Sequence, residues 1–214
     1  DLAGGDTTAS VNGLAIGVTA AGDVAKDRIA YRSGAKPNDL ICLSGDLGAA
    51  YMGLHLLERE KRACGGQPDP KPKFEGHEYI LGRQLKPEAR TDIIERLAEA
   101  GIVPTSMIDI TDGLASETLH LCKSSGCGAR IYLDRLPIAR QTHDMAEELH
   151  ADPVVAALNG GQDYELLFTV PLSKQQEIFA LGVDVIGHVT AAGTGAMLVT
   201  PDGSEIALKA PGWK

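Results

Sequence analysis

No stretch of this 214-residue sequence approaches the roughly 20 consecutive apolar residues that a membrane-spanning helix needs. A membrane partner is therefore not expected. Positive charge is also scarce: 20 Lys and Arg stand against 29 Asp and Glu, a formal net charge of −9 at pH 7. Nucleic-acid-binding surfaces are basic, so that class is excluded. A phosphorylated ligand is not, because a bound cation reverses the local sign of an acidic site. The four cysteines, Cys42, Cys64, Cys122 and Cys127, show no C-x-x-C spacing, and the six histidines show no zinc spacing. Cys42 and Cys122 fall in apolar elements and read as buried free thiols of a reducing, cytoplasmic protein. The chain has no Walker A loop, no kinase-type Gly-rich loop and no D-F-G. No Ser/His/Asp or Cys/His arrangement points to covalent catalysis, and no repeat period appears. The first residues are neither a signal nor a transit peptide. What remains is ordinary globular material, 43% apolar with 25 Gly and 11 Pro.

One stretch organises the rest. In Ile108-Asp109-Ile110-Thr111-Asp112-Gly113-Leu114 a short buried strand runs into a helix whose apolar residues recur to Cys122, with Gly126 as its C-cap. Asp109 then lies near the strand end, and Asp112 is placed to be the helix N-cap. A helix N-terminus suits a phosphate, but two carboxylates repel one. A hard divalent cation between them removes the conflict, since Mg²⁺ is held by one or two carboxylates plus substrate phosphates. The alternative is that Asp112 simply caps its helix and Asp109 is solvated. Two further Gly-rich acidic turns, Gly4-Gly5-Asp6-Thr7-Thr8 and Gly160-Gly161-Gln162-Asp163-Tyr164-Glu165, strengthen the cation reading. Each is also readable as an ordinary turn.

Pattern reading predicts strands over 14–18, 40–44, 128–133, 164–170 and 183–189, with a hairpin of 196–200 and 205–208 around Asp202-Gly203. Helices are predicted after Gly48, over 75–85, from Pro87 to Gly101, over 141–150 and 153–158, and from Ser173 as cap to Leu181. The fold class is α+β, a mixed sheet packed with helices. A chain that begins at Asp1, with a Gly-rich turn almost at once, reads as a piece of something longer. A domain junction is placed around 24–31.

Taken in order, these segments are similar to the thiamine-monophosphate kinase family. The resemblance rests on Gly4 to Thr8, Arg32-Ser33-Gly34-Ala35-Lys36-Pro37, Ile108 to Leu114, Cys127 to Ile131, and Gly160 to Phe168. The wider superfamily, which includes aminoimidazole-ribonucleotide synthetase, has a two-domain α/β architecture and uses ATP. The resemblance implies residues 1–31 as the tail of an ATP- and Mg²⁺-binding N-terminal domain and 32–214 as the C-terminal domain. It implies transfer of the γ-phosphoryl group of ATP onto thiamine monophosphate, in a protein that works as a homodimer. By position, Gly5, Asp6, Arg32 and Thr111 meet ATP. Asp6, Asp109 and Asp112 hold Mg²⁺, and Gln162 and Trp213 meet the thiamine end. Gln162 stands where the family has Glu, which removes a negative charge beside a cationic substrate. No general base is nominated, because an acceptor phosphate is already ionised near neutral pH. Two rival readings are another ATP-using enzyme of the superfamily and a non-catalytic nucleotide-binding module.

Overall fold

A computed structural model describes residues 13–14, 16–66 and 71–210. Seven strands form one mixed sheet: β1 (Leu40–Leu43), β2 (Ser106–Asp109), β3 (Gly128–Tyr132), β4 (Leu166–Val170), β5 (Asp184–Thr190), β6 (Ala196–Val199) and β7 (Glu205–Ala207). Their order across the sheet is β2-β4-β1-β5-β3-β6-β7, and every neighbouring pair is antiparallel except β3 with β6. The α+β class read from the sequence is the class observed.

Strand β1 is central, and all four of its residues are buried. With a side-chain period of two, it feeds two cores. Ile41 and Leu43 join Ile108, Leu167, Ile131 and Leu198 beneath helix α4 (Leu114–Ser125). Leu40 and Cys42 join Phe168 and Val170 beneath helices α3 (Thr91–Glu99) and α7 (Gln175–Ala180), through Ile93, Leu97 and Ile178. A third cluster needs no strand. It packs α1 (Ala49–Cys64) against α2 (Glu78–Leu85), α5 (Arg140–Leu149) and α6 (Pro153–Asn159), around Met52, Leu56, Ile80 and Met145.

Several boundaries depart from the sequence reading, each for a physical reason. The sequence predicts a strand over 14–18, and none is present among the described residues there, Leu14 and 16–18. Leu14, Ile16 and Val18 keep their alternation but are 90, 78 and 87% exposed, because no described strand lies beside them to pair with. Helix α3 starts at Thr91 rather than Pro87, since Arg90 leaves helical geometry (ψ 52°) and its guanidinium turns to a buried carboxylate, Glu165. Ser173 caps nothing: it lies inside a 3-10 turn, Leu172–Lys174, that precedes α7. Strand β4 begins at Leu166, two residues late, because Tyr164 takes a left-handed backbone (φ 53°). Cys42 and Cys122 are buried free thiols, and burial raises both to about 12. No helix among the described residues is long and apolar enough to cross a membrane.

Candidate functional site

The β2–α4 corner and the turn at 160–165 are bound to each other by backbone. The Gln162 N–H donates to the Thr111 carbonyl at 2.8 Å and the Tyr164 N–H to that of Ile110 at 2.9 Å. The Ile110 N–H returns to the Glu165 carbonyl at 2.8 Å. Gly161 (φ 70°) makes this approach possible, since a Cβ there would stand 2.3 Å from the Thr111 carbonyl oxygen. The turn is therefore more than an isolated Asx-turn. It brings Gln162 beside Thr111, and the Tyr164 hydroxyl donates to the Gln162 side-chain carbonyl at 2.9 Å.

Asp112 does not cap α4. The cap position is Gly113, with φ 106° and ψ 156°, a conformation open only to glycine. A Cβ on Gly113 would lie 2.6 Å from the Leu158 carbonyl oxygen. No side chain caps α4, and the corner before it is pinned from inside the helix. Glu117, 4% exposed, reaches back from the first turn and its Oε1 accepts the Asp112 N–H at 3.1 Å and the Thr111 hydroxyl at 3.3 Å. Asp112 is thereby released from a structural duty. Asp109 and Asp112 are both exposed, and among the described residues neither carboxylate has a hydrogen-bond donor or a cation beside it.

The underside of the site is a buried charge cluster that sequence reading missed. Glu165, 1% exposed, accepts Arg83 Nη1 at 2.9 Å through Oε1, and Arg90 Nη1 and the Ser44 hydroxyl through Oε2. Gly45 permits this, since its Cβ would sit 2.7 Å from both Arg90 Nη1 and Glu165. Asp163, 2% exposed, caps α1 from a distance, accepting the Gly48 N–H at 2.9 Å and the Ala50 N–H at 3.4 Å. Burial pushes its carboxyl up to about 6, against the downward pull of the Gly48 N–H and Arg83. The only sequence signal was Asp163 and Glu165 alternating with apolar residues into a strand, the pattern of inward-facing side chains.

Other predicted residues fall elsewhere. Arg32 is exposed at the far end of α4, where the Ser125 hydroxyl accepts the N–H groups of Gly34 and Ala35 at 3.2 Å each. The 12 residues of α4 separate it from the Asp112 corner by about 18 Å of helix. Gly5, Asp6 and Trp213 lie outside the described residues.

The donor set fits Mg²⁺. Among the described residues no group of three or more His, Cys, Asp or Glu forms a metal cage. Two unencumbered carboxylates at one corner are instead the arrangement that serves a cation shared with phosphates. The corner can hold an anionic ligand through a cation but has no nucleophile–base pair for covalent chemistry.

Comparison with known proteins identifies the family. The chain is 36% identical over 222 residues to thiamine-monophosphate kinase of Escherichia coli K12, matching all of this chain and 62% of that protein. It thus spans less than two thirds of that relative's length. A solved structure of AaThiL complexed with AMPPCP and TMP superposes with a TM-score of 0.69 at 32% identity, over 87% of this chain and 54% of that one. The thiamine monophosphate kinase of Aquifex aeolicus gives 0.66 at 30% identity, over 83 and 55%. The family described as AIR synthase related protein, C-terminal domain, matches residues 36–200, and the chain belongs to that family.

Proposed function

We propose that this chain is the C-terminal part of an ATP- and Mg²⁺-dependent thiamine-monophosphate kinase that makes thiamine diphosphate. The observation that carries the reading is the locked pair of turns, 108–114 and 160–165, with two free carboxylates on one side and Gln162 on the other. The similarity to thiamine-monophosphate kinases over the full chain supports the choice of substrate. In this reading residues 32–214 form the C-terminal domain and 1–31 the tail of a preceding one. The start of the family match at 36 and the lack of helix or strand in the described residues before it support that division.

Phosphoryl transfer asks positioning and charge neutralisation of the protein, with little covalent chemistry. An oxygen of the acceptor phosphate attacks the γ-phosphorus of ATP in line, the bond to the β–γ bridging oxygen breaks, and ADP leaves. Asp109 and Asp112, with Asp6, would hold Mg²⁺, and the cation would supply charge neutralisation for the phosphates. Thr111 meets the polyphosphate, Gly5 and Arg32 contact the nucleotide, and Gln162 and Trp213 receive the thiamine end. The Gln162 amide carbonyl is held by Tyr164, leaving its NH₂ free to donate. Holding two anions in line is the main source of rate. The protein works in the cytoplasm as a homodimer.

The test is an assay of the full-length protein with ATP, Mg²⁺ and thiamine monophosphate, following thiamine diphosphate as its fluorescent thiochrome. Product formation in step with ADP is expected. ATP turnover with a different phosphorylated acceptor and none with this one would favour another enzyme of the superfamily. Nucleotide binding with no turnover would favour a binding module.

A further inference from the structure

We propose that Cys122 and Cys127 are a thiol pair that closes to an internal disulfide by exchange with low-molecular-weight disulfides, and that closure locks residues 34–35 onto the end of α4. The proposal lies outside the phosphoryl-transfer site and does not depend on its assignment. The pairing is built by the backbone. Helix α4 is stopped at Gly126, whose left-handed conformation (φ 65°, ψ 36°) lets its own N–H and that of Cys127 both donate to the Cys122 carbonyl, the latter at 3.1 Å. In such a glycine stop the third-last position of the helix and the second residue beyond its end bring their side chains together. Here those two side chains are thiols. Cys122 is 7% exposed in the core beneath α4, and the half-buried Cys127 packs against the same core. Both are free, and the Cys122 thiol hydrogen-bonds to that of Cys127. Cys42 and Cys64 lie on other elements, β1 and the end of α1.

The exchange balances with a disulfide RSSR as the oxidant. The Cys127 thiolate, the more accessible sulfur, attacks one sulfur of RSSR, forms a mixed disulfide and releases RS⁻, which takes up a proton. Cys122 then gives up its proton and attacks the Cys127 sulfur. The mixed bond breaks, a second RS⁻ leaves and takes up that proton, and RSSR ends as two RSH. Burial pushes Cys122 up to about 12; burial also raises Cys127, with Asp39 adding to it against the hydrogen bond from Cys122. Both stay protonated at neutral pH, and the thiolate is the reacting form. The pair is therefore slow, and it follows a sustained change in thiol–disulfide balance, not a brief pulse. Ser125 stands between the two cysteines, and its hydroxyl accepts the Gly34 and Ala35 N–H groups at 3.2 Å each. Helix ends fray. A bond joining the chain on either side of Ser125 holds the last turn closed, and the latch with it.

The test equilibrates the full-length protein with mixtures of oxidised and reduced glutathione, blocks free thiols with N-ethylmaleimide and maps the tryptic peptides. Trypsin cuts after Arg96, Lys123 and Arg130, so the disulfide joins peptides 97–123 and 124–130. That linked pair is the expected product in wild type. Cys122→Ser should instead leave Cys127 as a glutathione adduct, and Cys127→Ser should leave Cys122 unmodified. Should Cys122→Ser, which puts a hydroxyl into the core, melt well below wild type, Cys122→Ala replaces it. Amide exchange of Gly34 and Ala35 should slow by at least about tenfold in the oxidised protein and return to its starting rate after dithiothreitol. Wild-type protein that carries glutathione on Cys127 without linked peptides, or keeps both thiols free at every ratio, overturns the pair. Unchanged exchange at Gly34 and Ala35 in protein shown to be linked overturns the lock.

Discussion

Glu165 is the carboxylate that Arg83 and Arg90 share, while Arg83 also lies 4.0 Å from the buried Asp163 and Arg90 pairs with Asp92. Arg83 and Arg90 are each about one-fifth exposed, while the Glu165 side chain is 2% exposed. Glu165→Ala removes the acceptor they share and leaves two like charges facing each other, with Asp163 and Asp92 as their remaining carboxylates among the described residues. A loss of about 3 kcal/mol is expected, at the low end for a broken buried pair because both arginines can swing outward; urea unfolding measures it. Asp163 gives a pH signature. Its folded carboxyl titrates at about 6 against 3.8 for the free side chain. Between those values the folded state binds the extra proton, so stability falls as pH rises from about 4 to about 6 and is level above. The full shift corresponds to about 3 kcal/mol. Asp163→Asn should flatten that decline when urea midpoints are compared at pH 4, 5, 6 and 7. A difference between the two proteins that grows with rising pH above 7 would contradict the assignment. Neither residue was legible in advance. An acidic residue in a Gly-rich turn reads as exposed, and only tertiary structure reveals the arginines and the helix terminus that hold it.

Among the elements, α4 was the most legible and its first residue the least. The apolar spacing to Cys122 and the glycine stop at Gly126 (φ 65°) gave its length. Its cap was misplaced by one residue, because the rule that Asp caps a helix is local, whereas Gly113 is set by contact with Leu158 and Asn159 of α6. Glu117 escaped notice because it lies outside the usual capping-box spacing of three. The start of α3 failed for a related reason: the preference for Pro at a first turn was overridden by the pull of Glu165 on Arg90. Gly113→Ala puts this account to the test. It places a side chain in a backbone region costing about 1–3 kcal/mol, with a Cβ 2.6 Å from a carbonyl oxygen of α6. A fall in unfolding free energy of at least that size is expected, with α4 and α6 losing amide-exchange protection together. Protection lost in α4 alone would mean that the two helices are not coupled through this residue.

Across the molecule, the segment before β1 is tied down late. The first described backbone bond from it to the sheet is that of the Met107 N–H to the Tyr31 carbonyl at 2.8 Å. Upstream, Val24, Ile29 and Ala30 line a cavity of about 510 Å³ with Ile94, Leu97 and Met107. Brief trypsin treatment should therefore cut at Lys26 or Arg28 first, and the product should unfold within about 0.5 kcal/mol of the starting chain, as expected when only surface is lost. Cleavage beginning inside α1 would refute that order. On the proposed function, the 214-residue chain should make no thiamine diphosphate by itself, because it spans 62% of the E. coli relative and in-line transfer needs both anions tethered. The assay that tests the full-length protein, run on this chain, decides it. The two ends of α4 carry a further consequence. One end presents the Asp112 corner and the other latches Gly34 and Ala35 through Ser125. A single inserted residue would turn Ser125 by about 100° and advance it about 1.5 Å, unhooking the latch while every other residue of the helix kept its identity. Between Gly113 and Gly126 the chain can accept many changes of letter but no change of count, and homologues of this domain should vary there in spelling and not in length.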